Sequence, residues 1–175
     1  MCYNTFGDFM NLPDRKAIRL KEFNYGTEGA YFITVCVEHR ENLLSFVGEG
    51  SPLPQLSAYG KITENALLQI PKQYPSMQID KYVIMPDHVH ILLSLLNNGR
   101  GNPSPTVTNA MGWFKYKATK EINKHRSSPG KRVFQRSFYD HVIRNEEDYL
   151  ETWNYIESNP GKLWEKYNGL EISDR

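Results

Sequence analysis

The sequence predicts an α+β fold in a single domain spanning residues 1–175, and three observations carry that reading. Short runs rich in β-branched and aromatic residues alternate with turn residues, as strands require. Two longer stretches repeat apolar residues at helical spacing. The length suits one hydrophobic core, with no internal repeat or low-complexity tract to divide it.

Residues 1–28, with Pro13 and mixed charges, read as irregular. Tyr31-Phe32-Ile33-Thr34-Val35-Cys36-Val37 predicts a central strand. Gly48, Gly50, Pro52 and Pro54 make residues 45–56 a loop or short hairpin. A helix is expected from near Ser57 to Gln73, broken at its end by Pro71 and Pro75. Gln78 to Met85 predicts a second strand, and Pro86-Asp87 turns the chain into a third that starts at His88 and stops at Asn97-Asn98-Gly99. A polar linker over 97–105 leads to a helix over about 105–125. Phe138 to Arg144 predicts a last strand, and Asn145 caps a helix that runs to Ser158 and is closed by Pro160-Gly161.

Composition narrows the function classes. No run approaches the ~18 apolar residues of a membrane span, and the start lacks a charged segment followed by an apolar one, so a cytoplasmic protein without membrane contact is expected. Cys2 and Cys36 are the only cysteines, which argues against a disulfide framework and against a cysteine-based zinc site. The net charge of +1 conceals an asymmetry, because residues 111–144 hold nine Lys or Arg against Glu121 and Asp140. That region, with Lys131, Arg132, Arg136 and Arg144, is suited to meeting anions, although clustered lysines also cover ordinary solvated faces.

His88-Val89-His90 is the most informative motif. Side chains alternate along a strand, so both imidazoles point one way while Val89, Ile91, Leu93 and Leu95 form an apolar face on the other. Such a pair suits a divalent metal, and equally describes two half-exposed histidines off the core face. A metal site needs a third group from elsewhere in the chain.

In the helix over 105–125, Val107, Met111, Phe114, Ala118 and Ile122 form the buried stripe, and Trp113, Lys117, Lys120 and Lys124 line the opposite side. An aromatic with three lysines offers a base-stacking ring and phosphate contacts; the competing reading is a solvated face with one exposed indole. On the last helix Tyr149, Leu150, Trp153 and Ile156 are expected in the buried stripe. Tyr155 lies outside it, with Asn159 four residues on and on the same face. Alone it is an ordinary exposed tyrosine; with the histidines it proposes a nucleophile, and Asn159 the missing ligand.

These segments together resemble a known family. His88-Val89-His90 is similar to the His-hydrophobic-His motif of the HUH nucleases, and Tyr155-Ile156-Glu157-Ser158-Asn159-Pro160 to the tyrosine helix of single-tyrosine transposases, particularly the REP-associated tyrosine transposases. Arg19-Leu20-Lys21 through Ala30-Tyr31-Phe32-Ile33-Thr34-Val35, Tyr82 to His90, Phe114-Lys115 with Thr119, and Phe134 to Asn145 also look like family segments in the family's order. Asp87 stands where the family usually has Asn, Phe134 where Trp is common, and Gly161-Lys162-Leu163-Trp164 looks one residue longer than usual.

The resemblance implies a ferredoxin-like antiparallel sheet with the histidines on a central strand and the tyrosine helix against it. It implies a metal-dependent single-stranded DNA endonuclease and strand transferase acting on palindromic hairpin DNA, as a monomer or homodimer. In that reading His88, His90 and Asn159 hold Mg²⁺ or Mn²⁺ and Tyr155 forms a 5′-phosphotyrosine. A phenol is a weak nucleophile at neutral pH, so charge at the phosphate must be relieved as it attacks. A hairpin-binding protein of the same fold that does not cut is the alternative. A barrel hydrolase is disfavoured, since such barrels need about 250 residues.

Overall fold

The computed structural model describes residues 28–46, 54–96 and 106–172, with side chains to residue 165. The expectations for residues 1–27, for 47–53 within the 45–56 loop and for the 97–105 linker lie outside the described residues, as does the Arg19-Leu20-Lys21 segment. In chain order the elements are β1 (Gly29–Cys36), β2 (Ser45–Phe46), β3 (Gln55–Leu56), α1 (Ala58–Leu68), α2 (Ile70–Gln73), β4 (Met77–Ile84), β5 (His88–Leu95), α3 (Val107–His125), β6 (Tyr139–Val142) and α4 (Glu146–Ile172).

The main sheet runs β4-β5-β1-β6 with every pairing antiparallel. Strand, helix, two strands, helix, strand in that spatial order is the ferredoxin-like arrangement. β2 and β3 pair as a separate two-stranded ribbon, as the hairpin reading of residues 45–56 anticipates.

Alternation along the strands divides the sheet into two faces. Tyr31, Ile33, Val35, Val89, Ile91, Leu93 and Leu95 share one core with Ala66 and Leu67 of α1 and with Val107, Ala110, Met111, Phe114, Ala118 and Ile122 of α3. The predicted buried stripe of α3 is entirely solvent-inaccessible. The opposite face carries a smaller cluster in which Phe32, Leu92 and Ile156 are buried, with Tyr149, Trp153 and Tyr155 of α4 packed on it. The sheet is therefore covered on both sides, with the tyrosine helix against the histidine face as the resemblance implies.

Three local differences have physical causes. Pro71 lies in the first turn of α2 instead of ending a helix; there its missing N–H costs nothing, and the break comes at Gln69 between α1 and α2. Pro160 lies inside α4, which continues to Ile172. An internal proline removes one backbone bond and costs ~3 kcal/mol, but Ile156, Asn159 and Pro160 are all buried, and that packing holds the helix through the defect. Leu150 is 53% exposed, not buried. The stripe facing the sheet is Tyr149, Thr152, Trp153, Ile156 and Asn159, rotated so that two polar side chains approach the histidine face. Asn145 does cap α4, its side-chain oxygen accepting from the Asp148 N–H at 2.9 Å.

Candidate active site

Register builds the site. In the β1–β5 ladder Cys36 lies opposite His88 and Thr34 opposite His90, so the histidines stand at the end of β5 beside the two small polarisable residues of the β1 face. His90 is only 4% exposed, whereas His88 is part-buried. His90 stacks on Phe32, ring centroids 5.2 Å apart.

The imidazoles converge through one nitrogen each. His88 Nε2 and His90 Nε2 are 3.0 Å apart. The other nitrogens are held from outside: His88 Nδ1 donates to Asp87 Oδ1 at 2.6 Å, and His90 Nδ1 shares a 2.9 Å hydrogen bond with Thr34 Oγ1. Asp87 is held in turn by Arg40, whose Nε lies 2.8 Å from Oδ2 while Nη1 donates to Cys36 Sγ at 3.1 Å. Arg40 and His39 adopt left-handed backbone, φ 57° and 55°, a conformation that side chains with a Cβ rarely adopt.

Electrostatics keep His90 neutral and Asp87 ionised. Burial, reinforced by His88 and Arg40, holds His90 well below the ordinary imidazole range, so the ring is neutral at neutral pH. Burial alone would raise Asp87, but the hydrogen bond to His88 and the charges of His88 and Arg40 outweigh it, keeping the carboxyl below its usual range and ionised.

The donor set fits a divalent ion. Two nitrogens ~2.1 Å from a metal at right angles lie about 3.0 Å from each other, the separation found here. Among the described residues no three of His, Cys, Asp and Glu come together, so a third ligand drawn from them would be of another type. Asn159 is buried on α4, one turn beyond Tyr155, and carries an amide oxygen of the hard type that Mg²⁺ and Mn²⁺ accept. Tyr155 packs edge-on against Phe32 at 5.9 Å and against His90 at 5.4 Å between centroids, with Lys162 Nζ 5.8 Å from its ring. Tyr149, expected in the core, is only part-buried, packing beside Trp153 at the edge of the smaller apolar cluster.

The basic residues separate into several roles. Lys120, Lys124, Lys131, Arg132, Arg136 and Arg144 are exposed. Arg132 Nη1 pairs with Glu38 at 3.1 Å, and Lys117 Nζ lies 5.9 Å over the Trp113 ring. Trp113 is not the free stacking ring expected from the helix pattern. It is part-buried at the core's rim and edge-on to Tyr74 at 6.1 Å, because the bulky indole reaches from the helix flank to the chain after α2.

Thr34 and Arg40 are the residues that sequence reasoning missed. A signal existed for Thr34, the one hydroxyl between Phe32 and Cys36 on the β1 face opposite Ile33 and Val35. None existed for Arg40, whose approach depends on the turn at Glu38–Arg40.

A family model described as transposase IS200 like matches residues 60–159. An uncharacterized protein of Haemophilus influenzae is 33% identical over 168 residues, covering 87% of this chain and 91% of that protein. A REP-associated tyrosine transposase of Escherichia coli is 25% identical over 136 residues, 77% of this chain and 67% of that one. A solved REP-associated tyrosine transposase bound to a REP hairpin superposes with a TM-score of 0.59 at 23% identity, covering 83% of this chain and 76% of its own, which shows the shared fold.

Proposed function

This chain belongs to the IS200-like transposase family, and we propose that it nicks and rejoins single-stranded DNA at hairpin-forming sites through a covalent tyrosine intermediate. The observation that carries the reading is the approach of Tyr155 to the convergent histidine pair, 5.4 Å from the His90 ring within one chain. In this reading Tyr155 serves the histidines of its own subunit.

His88 and His90 through Nε2, with Asn159, would hold Mg²⁺ or Mn²⁺. Such an ion, when bound, neutralises the scissile phosphate and the charge that develops as the bond exchanges. Asp87 and Thr34 fix the imidazole orientations, so that no rearrangement of either ring is needed. Phe32 and His90 hold the Tyr155 ring edge-on, limiting the directions from which its oxygen reaches phosphorus. The phenolic oxygen gives up its proton and forms a bond to phosphorus, the bond from phosphorus to the 3′-oxygen breaks, and that oxygen takes up one proton from solvent in exchange for the phenol's, leaving as a 3′-hydroxyl. The 5′-phosphotyrosine retains the phosphodiester energy, so attack by another 3′-hydroxyl reverses the step and joins strands without ATP.

Incubating the protein and Mn²⁺ with an end-labelled hairpin carrying single-stranded flanks tests this. The expected result is a nick and a protein adduct on the 5′-phosphate side that maps to Tyr155. Tight hairpin binding without nick or adduct would instead make the chain a recognition protein of the same fold.

A further inference from the structure

Lys115, near the middle of α3, donates through Nζ to the carbonyls of Gln135 and Arg136 at 3.1 and 2.7 Å. Two turns later the buried Asn123 side chain donates to the Lys131 carbonyl at 2.7 Å, and Arg126 Nε donates to Asn123 Oδ1 at 3.0 Å. The segment 127–136 is thus strapped to α3 at both ends. Between the straps lies a groove of about 630 Å³, within the ~300–1,000 Å³ range of ligand sites.

The groove's chemistry selects an occupant. Its lining includes Lys120, Lys124 and Arg136, all exposed, and contains no carboxylate. The lining is also mainly apolar: Phe134, 3% exposed and 5.9 Å from Phe114, forms the interior wall, and the Tyr116 ring stands at the rim 65% exposed. Cations beside an aromatic face match a single strand, whose bases are free to stack while its phosphates meet the lysines; a duplex hides those base faces.

The groove's wall is also tied to the strand beside the histidine strand. Phe134 bridges to Val37, and the Gln135 N–H donates to the Cys36 carbonyl at 2.9 Å. Cys36 is the ladder partner of His88. We infer that this groove holds unpaired nucleotides of the strand that continues past the sheet edge to the scissile phosphate, with a base stacked on Tyr116 and phosphates on Lys120, Lys124 and Arg136. The inference rests on the proposed DNA-cutting function and adds to it a route for the strand.

The test uses the full chain without divalent metal, so that binding is read apart from cutting. Fluorescence anisotropy is titrated with two labelled probes, a hairpin bearing a single-stranded tail and the same hairpin blunt. Tyr116→Ala is expected to weaken the tailed probe by about 5- to 150-fold and the blunt probe by less than about twofold. Lys120→Ala with Lys124→Ala should flatten the salt dependence for the tailed probe by about 0.7 for each phosphate no longer neutralised. Because all three side chains are exposed, thermal melting should match the unsubstituted protein. Unchanged affinity for the tailed probe, or equal losses on both probes, overturns the groove. A missing Tyr155 adduct when metal is added back tells against the cutting function alone and leaves the binding comparison intact.

Discussion

His88 Nε2 and His90 Nε2 face each other at 3.0 Å while each ring is anchored at Nδ1 by a different element, Asp87 in the turn before β5 and Thr34 on β1. Two lone pairs aimed at one point are unfavourable for neutral rings unless one carries a proton between them. In neutral rings one proton bridges the two nitrogens as a hydrogen bond, and a shared cation would take its place.

The anchors should act on metal affinity. Asp87→Ala removes the acceptor that orients His88, and loss of such a partner typically weakens metal binding by ~10–100-fold. Asp87→Asn keeps an oxygen at the same place and should recover most of that affinity. Calorimetric titration of the two variants with Mn²⁺ decides the matter; equal affinity in Asp87→Ala and the unsubstituted protein would leave the carboxylate without this role.

Removing only the nucleophilic oxygen should separate cutting from binding. Tyr155→Phe keeps the ring contacts to Phe32 and His90, so DNA affinity should stay within about twofold while nicking and adduct disappear. Residual adduct, mapped by peptide mass spectrometry to Tyr149 or Tyr139, would reassign the nucleophile.

His90 makes the metal-free protein acid-sensitive in a defined direction. An unfolded chain protonates histidine near pH 6.5, whereas in the fold burial holds His90 well below that value. Between those two pKa values the unfolded state binds more protons, so stability is fully present above about pH 6.5 and falls as the pH drops through it. The decline approaches ~1.4 kcal/mol per pH unit for this one group. Urea unfolding at a series of pH values between 8 and 5 should show it, and His90→Gln should flatten it.

Trp113→Ala should act on stability more than on DNA. The indole packs at the core's rim against Tyr74, and truncating a part-buried aromatic leaves a space worth ~1–3 kcal/mol, below the cost for a fully buried ring. A lower melting temperature with DNA affinity retained is expected; an unchanged melting temperature with weakened DNA binding would return the indole to the DNA surface.

Much of the fold was legible because local rules were obeyed. Alternation from Val89 to Leu95, together with the helical spacing of Val107, Met111, Phe114, Ala118 and Ile122, assigned those residues of the larger core correctly. Each of those positions is decided by a period along one segment. The smaller face was not legible, since Leu150 and Thr152 exchange places only when α4 settles on a surface made by β1, β4 and β5.

The sequence by itself determined which groups are available: two imidazoles on one side of a strand, a tyrosine and an amide one helical turn apart, and an excess of cations over residues 111–144. Those follow from backbone periodicity, which is a local property. Only the tertiary structure decided that His90 is buried, that Thr34 and the Asp87–Arg40 pair hold the rings, and that Tyr116, not Trp113, stands exposed above a basic groove. Those relations depend on strand register and on pairings between residues far apart in the chain, such as Thr34 with His90 and Lys115 with Gln135, whose free energy exists only once both elements are packed.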